Sequence, residues 1–278
     1  MQFQQILNLF CQEELLRRLS RSSYRENLIL KGGFLLYSLS EFATRPTIDS
    51  DYLLRNQANT LDSAEKIIKE IITNKSADSV VEMEIKKLQI IGESAKYPGI
   101  RVGLIGRIGR TRTSFHIDLG VGDLTATGPI ERSLSVFLPE FQPPIVLTYP
   151  LESVISEKLE AVISLMELSS RMKDLYDLYY LATTFDFEGR KIQEAIATTF
   201  SNRGTPYEKD SVQIIKRLSA NKSIQERWEN FCKSIFLNDL ALEVVIQTII
   251  TLTEKPFDAM IRDDEFFKTW SHEAVNWI

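Results

Sequence analysis

The apolar positions of residues 4–20 fall at Ile6, Leu7, Phe10, Leu15, Leu16 and Leu19, roughly helical in period, and predict a helix. A short apolar run, Leu28-Ile29-Leu30, leads into Lys31-Gly32-Gly33, so a strand is expected to turn tightly into the next element. That element reads as a helix over 34–42, with Leu35, Leu36 and Leu39 on one side. Arg45-Pro46-Thr47 stops it, because proline disfavours helix at and just before itself. Over 48–54, Ile48, Ser50, Tyr52 and Leu54 alternate against Asp49, Asp51 and Leu53, the period of a strand. Residues 62–73 return to helical spacing, with Ile67, Ile68 and Ile71 or Ile72 as the buried stripe. Three strand-like runs follow, 82–91, 99–108 and 113–119, punctuated by Gly92, Pro98, Gly109 and Gly122.

The pattern then changes. Prolines at 139, 143, 144 and 150 mark an extended connection, and everything after Leu151 reads as helix. In the first of these helices Ile155, Leu159, Val162 and Met166 form the apolar stripe, with Lys158 at its edge. Ser169-Ser170 breaks the helix before Arg171. The expected fold class is α+β: a head of small mixed sheet and flanking helices over 1–150, then a helical domain over 151–278.

Composition narrows the function. With 278 residues, 44% hydrophobic and 26% charged, the chain supports a sizeable core and is not disordered. No apolar stretch approaches the roughly 18 residues of a membrane helix; the best, 244–252, is interrupted by Gln247 and Thr248. The N-terminus lacks a basic start and reaches Glu13 and Glu14 early, so no signal peptide is expected and the reading is cytoplasmic. Cys11 and Cys232 are too few for a disulfide scaffold and unsuited to zinc. A net charge of −5 excludes a grip on nucleic acid by bulk charge. Any such binding falls to two local groups, Arg17, Arg18, Arg21 and Arg25, or Arg101, Arg107, Arg110 and Arg112. His116 and His272 exclude chemistry built on a histidine cluster.

Several familiar motifs fail. Asp49 and Asp51 do not open a calcium loop, because Leu53 and Leu54 stand where Asp or Asn and then Gly are needed. Gly103, Gly106 and Gly109 lack dinucleotide spacing, and there is neither a phosphate-loop lysine motif nor a serine elbow. Carboxylates remain. Asp49 and Asp51, two apart on a strand, emerge from one face and repel unless a cation such as Mg²⁺ sits between them. Asp118 lies between Ile117 and Leu119 in another strand-like run, where burial without a partner is expensive. If the two strands are neighbours, three carboxylates converge as metal-assisted phosphoryl transfer requires. Alone, the Asp-x-Asp is an ordinary solvated strand end; the preceding Gly32-Gly33 turn, which lets phosphate approach backbone N–H groups, shifts the balance. Lys158 is either a lysine lying along the core or a phosphate-binding charge. Arg171 and Asp174 are spaced for a plain ion pair, and spacing alone favours these structural readings.

In combination the segments resemble the AbiEii/AbiGii toxin-type nucleotidyltransferases, a branch of the DNA polymerase beta-like superfamily. The matching stretches are Lys31-Gly32-Gly33-Phe34, Arg45-Pro46-Thr47-Ile48-Asp49-Ser50-Asp51, Tyr97-Pro98-Gly99-Ile100-Arg101-Val102, Ile117-Asp118-Leu119-Gly120-Val121-Gly122-Asp123 and Thr127-Gly128-Pro129. Glu157-Lys158-Leu159-Glu160-Ala161 and Ser170-Arg171-Met172-Lys173-Asp174-Leu175-Tyr176-Asp177-Leu178 complete a set that runs in family order from about 28 to 182. Residues 190–278 carry no matching motif.

The resemblance implies a nucleotidyltransferase head. Asp49, Asp51 and Asp118 would be its metal ligands, for Mg²⁺ or Mn²⁺, and Asp118 would also accept the proton of the attacking hydroxyl. Gly32 and Gly33 would cradle the phosphates of a nucleoside triphosphate. Lys158 would bind nucleotide, and Asp174, with Asp177 close behind, would be the functional carboxylate of the helical domain. It further implies a toxin with a cognate antitoxin protein and an RNA acceptor, such as a tRNA 3′ end, with Arg101, Arg107, Arg110 and Arg112 as candidate backbone contacts. A solvated hairpin face is the alternative for those arginines. A small-molecule or protein acceptor, or an inactive fold used for binding, remains open as well. Phe34 stands where many relatives carry a small hydroxyl residue, and Ser50 where an apolar one is usual.

Overall fold

The apolar run at Leu28, Ile29 and Leu30 becomes a central strand, each residue at most 1% exposed, because both faces of the sheet are covered there. The computed structural model describes residues 3–47, 49–76, 78–92, 97–165, 171–208, 210–237 and 239–278. It divides into two units, 1–123 with 129–149, and 124–128 with 150–278. Ile48, Met166 and the Ser169-Ser170 break lie outside the described residues.

The first unit contains α1 (Phe3–Ser20), β1 (Leu28–Lys31), α2 (Gly32–Leu39), β2 (Asp49–Leu54), α3 (Leu61–Thr73), β3 (Glu82–Ile91), β4 (Gly99–Ile108), β5 (Thr111–Gly120), β6 (Ile130–Ser133) and β7 (Ile145–Thr148). Its seven strands form a mixed sheet in the order β3-β4-β5-β2-β1-β7-β6. β2 runs parallel to β5 and β1 parallel to β7, and the other neighbours are antiparallel. α1 and α3 touch each other and pack on the sheet, while α2 packs on β1 and β2.

Two expectations need correction in this unit. The stretch expected to be only an extended connection contains β7, and β6 precedes it. These strands have four residues each, too short to show a period, and β7 pairs with β1 from far earlier in the chain. The helix expected over 34–42 begins at Gly32 and ends at Leu39. Glu41 and Phe42 take left-handed backbone (φ 51° and 66°), and the Phe42 N–H bonds the Tyr37 carbonyl, which ends the helix before Pro46 is reached.

The second unit contains α4 (Leu151–Leu165), α5 (Met172–Thr184), β8 (Phe187–Glu188), α6 (Gly189–Arg203), α7 (Ser211–Ile214), α8 (Arg217–Ala220), α9 (Lys222–Ser234), α10 (Leu242–Arg262), β9 (Thr269–Ser271) and β10 (Asn276–Trp277). α10 packs against α5 and α6. This unit is not all helix, as the sequence suggested: β10-β9-β8 form a small antiparallel sheet. Strands of two or three residues leave no alternation to read. What holds them is Trp270, fully buried, whose indole N–H donates to the Ala182 carbonyl at 2.7 Å, with the Trp277 ring 5.4 Å away.

α1 buries charge as well as apolar surface. Arg17 and Arg18 are 2% and 0% exposed, held by Glu13 and Glu14. Arg18 also donates to the carbonyls of Ile72 and Val81 and to the Ser79 hydroxyl, which ties α1 to the end of α3 and to the segment that follows it. Arg17 and Arg18 are therefore not part of a surface patch, and of the first arginine group only Arg21 and Arg25 reach the surface. Replacing Arg18 with alanine strips Glu14 of a buried partner and should lower stability by roughly 3–5 kcal/mol in chemical denaturation. Burial pushes the Glu14 carboxyl up, but bonds from Ser79, Arg18 and Arg17 outweigh it and leave the group below its ordinary 4.5. Its stabilisation is complete above that value and disappears as pH falls through the lower folded one. Glu14→Gln should therefore be less stable near neutrality and show a shallower acid limb in a stability–pH curve.

Candidate active site

Register across the sheet brings the charged residues together. β2 and β5 pair so that Asp51 lies opposite Asp118, and Asp49 opposite His116. Continuing the row, Lys31 on β1 faces Asp51, and Arg101 on β4 faces Asp118. Registered neighbours present their side chains to the same face. One line across four strands thus reads Lys31, Asp51, Asp118, Arg101, with Asp49 two residues along on the same face as Asp51.

Side-chain contacts balance this charge. Arg101 grips Asp118 with both ends of its fork, Nε to Oδ1 at 2.8 Å and Nη2 to Oδ2 at 2.7 Å. The Asp118 bond, with the charges of Asp118, Asp49 and Asp51, holds the guanidinium pKa above its usual range despite opposing burial. His116 Nε2 lies 2.9 Å from Asp49 Oδ1. Lys31 Nζ turns to Asp123 at 2.5 Å and sits 4.8 Å from the centre of the Tyr149 ring. A cavity of about 260 Å³ adjoins Asp51 and Asp118, walled by Lys31, Ile91, Tyr97 and Leu119. Ser50, between the two aspartates, is fully buried and donates its hydroxyl to Gln12.

The Gly32-Gly33 turn packs against this row. Gly32 has φ +69°, and a Cβ there would overlap the Asp51 carboxylate. A Cβ on Gly33 would come within 3.2 Å of the Arg45 guanidinium and 3.3 Å of the Thr47 hydroxyl. Arg45 and Thr47, both nearly buried, thereby stand beside the start of α2. Sequence reasoning read 45–47 as a helix stop and gave these two residues no role, nor any to Lys31 or His116. The signal for His116 was its place two residues before Asp118.

In the second unit, Lys158 does not extend its ammonium into water. It is 12% exposed and bridges Asp174 and Asp177 at 2.7 Å each. Burial would lower its pKa, but Asp177 and Asp174 outweigh burial and raise it. Arg171 Nε reaches Asp174 Oδ2 at 2.5 Å, the ion pair that spacing suggested. Asp174 sits in the first turn of α5, where a carboxylate complements the helix dipole.

The middle arginines do not form one patch. Arg101 is committed to Asp118, and Arg107 lies six residues along β4, roughly 20 Å away in an extended strand. Arg107 pairs with Glu84 at 2.6 Å and is the register partner of Arg112. Arg110 and Arg112 are exposed at the hairpin end.

Among the described residues no three His, Cys, Asp or Glu side chains are grouped to hold a metal ion. Asp118 is turned to Arg101 and Asp49 to His116. The donor set nevertheless fits a hard divalent cation: carboxylate oxygens from two registered strands, with a guanidinium already among them as a positive charge.

A nucleotidyl transferase family model matches the chain over residues 14–262, and the protein is a nucleotidyltransferase. The family is the AbiEii toxin of type IV toxin–antitoxin systems, and the chain belongs to it. The fold is shared with JHP933 from Helicobacter pylori, at 14% identity and TM-score 0.53, covering 95% of this chain and 96% of that one. A candidate nucleotidyltransferase from H. pylori aligns at 13% identity and TM-score 0.49, over 95% and 100% of the two chains. No curated protein matches. No described helix is long and apolar enough to cross a membrane.

Because Gly32 combines positive φ with contact to Asp51, Gly32→Ala should destabilise the first unit by about 1 kcal/mol or more. It should also displace the Asp51 carboxylate. Thermal melting and a crystal structure of the variant check both.

Proposed function

We propose that the protein is a Mg²⁺-dependent transferase, able to use Mn²⁺, that moves a nucleoside monophosphate from a nucleoside triphosphate to a hydroxyl of RNA, at a tRNA 3′ end. The observation that carries this reading is the register of Asp51 with Asp118 on parallel strands, with Asp49 on the same face as Asp51. These three carboxylates would hold the cation, which when bound supplies charge neutralisation for the phosphates. The acceptor oxygen forms a bond to the α-phosphorus as the bond to the bridging oxygen of the β-phosphate breaks. The hydroxyl proton passes to Asp118, and pyrophosphate leaves. Gly32 and Gly33 give the triphosphate access to the N–H groups at the start of α2.

We assign nucleotide binding in the helical unit to Lys158, and to Asp174 with Asp177 the carboxylate role implied by the motif from Arg171. Arg110 and Arg112, exposed and free of ion pairs among the described residues, are the better candidates for RNA phosphate; Arg107 is shared with Glu84. The acceptor places the reaction in the cytoplasm. The type IV family brings an antitoxin partner.

Purified protein incubated with Mg²⁺, total cellular RNA and each α-labelled triphosphate in turn tests this reading. A labelled RNA band is expected, reduced at least about a hundredfold in Asp49→Ala and Asp51→Ala, since each removes several kcal/mol of charge stabilisation. Label on protein would redirect the acceptor, and no transfer with any triphosphate would overturn the reading. Alanine at Arg110 and Arg112 should weaken RNA binding and flatten its salt dependence. Unchanged binding at low salt would remove them from the interface.

A further inference from the structure

The reaction proposed above needs Asp118 open to a cation, yet both of its oxygens are already taken by Arg101. That contact follows from the backbone. Arg101 and Asp118 are register partners on β4 and β5, and Asp118 is in turn the partner of Asp51 on β2. The strand pairing keeps the guanidinium within reach of Asp118. Lys31 flanks the row from the other side, as the register partner of Asp51, and also reaches Asp123 and the Tyr149 ring. Arg101 is therefore the cation clamped on Asp118, and its guanidinium does not lose its charge in water.

A divalent ion and a guanidinium seeking the same two oxygens exclude each other, by occupancy and by like-charge repulsion. We propose that Arg101 is the built-in counter-ion of the carboxylate site, and that a divalent cation binds only by displacing it from Asp118. The inference rests on the metal-dependent reading above and deepens it. In the metal-free protein Arg101 relieves repulsion among Asp49, Asp51 and Asp118; as the ion enters, the fork swings off. Its side chain is 38% exposed, so the swing meets no packed core. Arg101 thus sets how much free cation the site needs, and it acts as a positioning residue through Asp118.

Direct Mn²⁺ binding to the full chain without nucleotide, followed by electron paramagnetic resonance, tests this without any activity assay. Arg101→Ala should bind Mn²⁺ at least about tenfold more tightly than the unaltered protein, a difference of about 1.4 kcal/mol. Arg101→Lys, which keeps the charge without the fork, should fall between them. The gain should vanish in Arg101→Ala/Asp118→Asn, the closing corner of a double-mutant cycle. Melting curves show that each variant is folded, and Arg101→Gln substitutes if the alanine variant is not. Equal or weaker Mn²⁺ binding in Arg101→Ala, with the unaltered protein binding normally, overturns this inference alone. Failure of both proteins to bind Mn²⁺ at millimolar concentration overturns the metal-dependent reading and this inference with it.

Discussion

The parallel pairing of β2 with β5 is the constraint on which the site depends. It sets Asp51 beside Asp118 and Asp49 beside His116, and no side chain can restore that geometry if the register changes. A slip of one residue would turn Asp49 and Asp51 to the opposite face and bring Ser50 and Tyr52 into their place. Tyr52 and Ser50 are buried at 1% and 0% exposure, so the apolar face opposes such a slip. The core thus specifies the position of the carboxylates, and the chemistry inherits its precision from packing.

Once register is fixed, charge has to be balanced, and the protein repeats one solution in separate places. Arg101 forks onto Asp118, Lys158 bridges Asp174 and Asp177, and Arg17 and Arg18 are held against Glu13 and Glu14. The environments differ in what they allow. The α1 pairs are almost fully buried and additionally bonded to backbone, which makes them structural; removing one partner leaves a charge stranded. The Arg101 pair stands partly exposed near the start of β4, beside a cavity that Asp118 lines, where a partner can be exchanged. The same ion-pair chemistry therefore fastens the fold in one place and remains open to substitution in another.

Much of this was legible in the sequence wherever a period was long enough to read. α1, α3 and the strands from Glu82 to Gly120 declared themselves by spacing, and Asp49, Asp51 and Asp118 by carboxylates set in strand-like runs. The strands that escaped notice, β6 to β10, have two to four residues, and β7 and β8 find partners far away in the chain, on β1 and β9. Trp270 and Trp277 lie in β9 and β10 alone. Partners were harder still. Nothing in the spacing of Arg101 distinguishes a contact with RNA from a clamp on Asp118, because the answer lies in cross-strand register. Lys158 was equally ambiguous, since its burial depends on two carboxylates brought to it by α5.

The most direct test of the account is a crystal structure of the protein grown with Mn²⁺ and a non-hydrolysable nucleoside triphosphate, with the ion located by its anomalous scattering. The account predicts an anomalous peak coordinated by Asp51 and Asp118, with Asp49 turned toward it, the triphosphate at the start of α2, and Arg101 moved off Asp118. A triphosphate and ion bound elsewhere, with the Arg101–Asp118 fork intact, would contradict it.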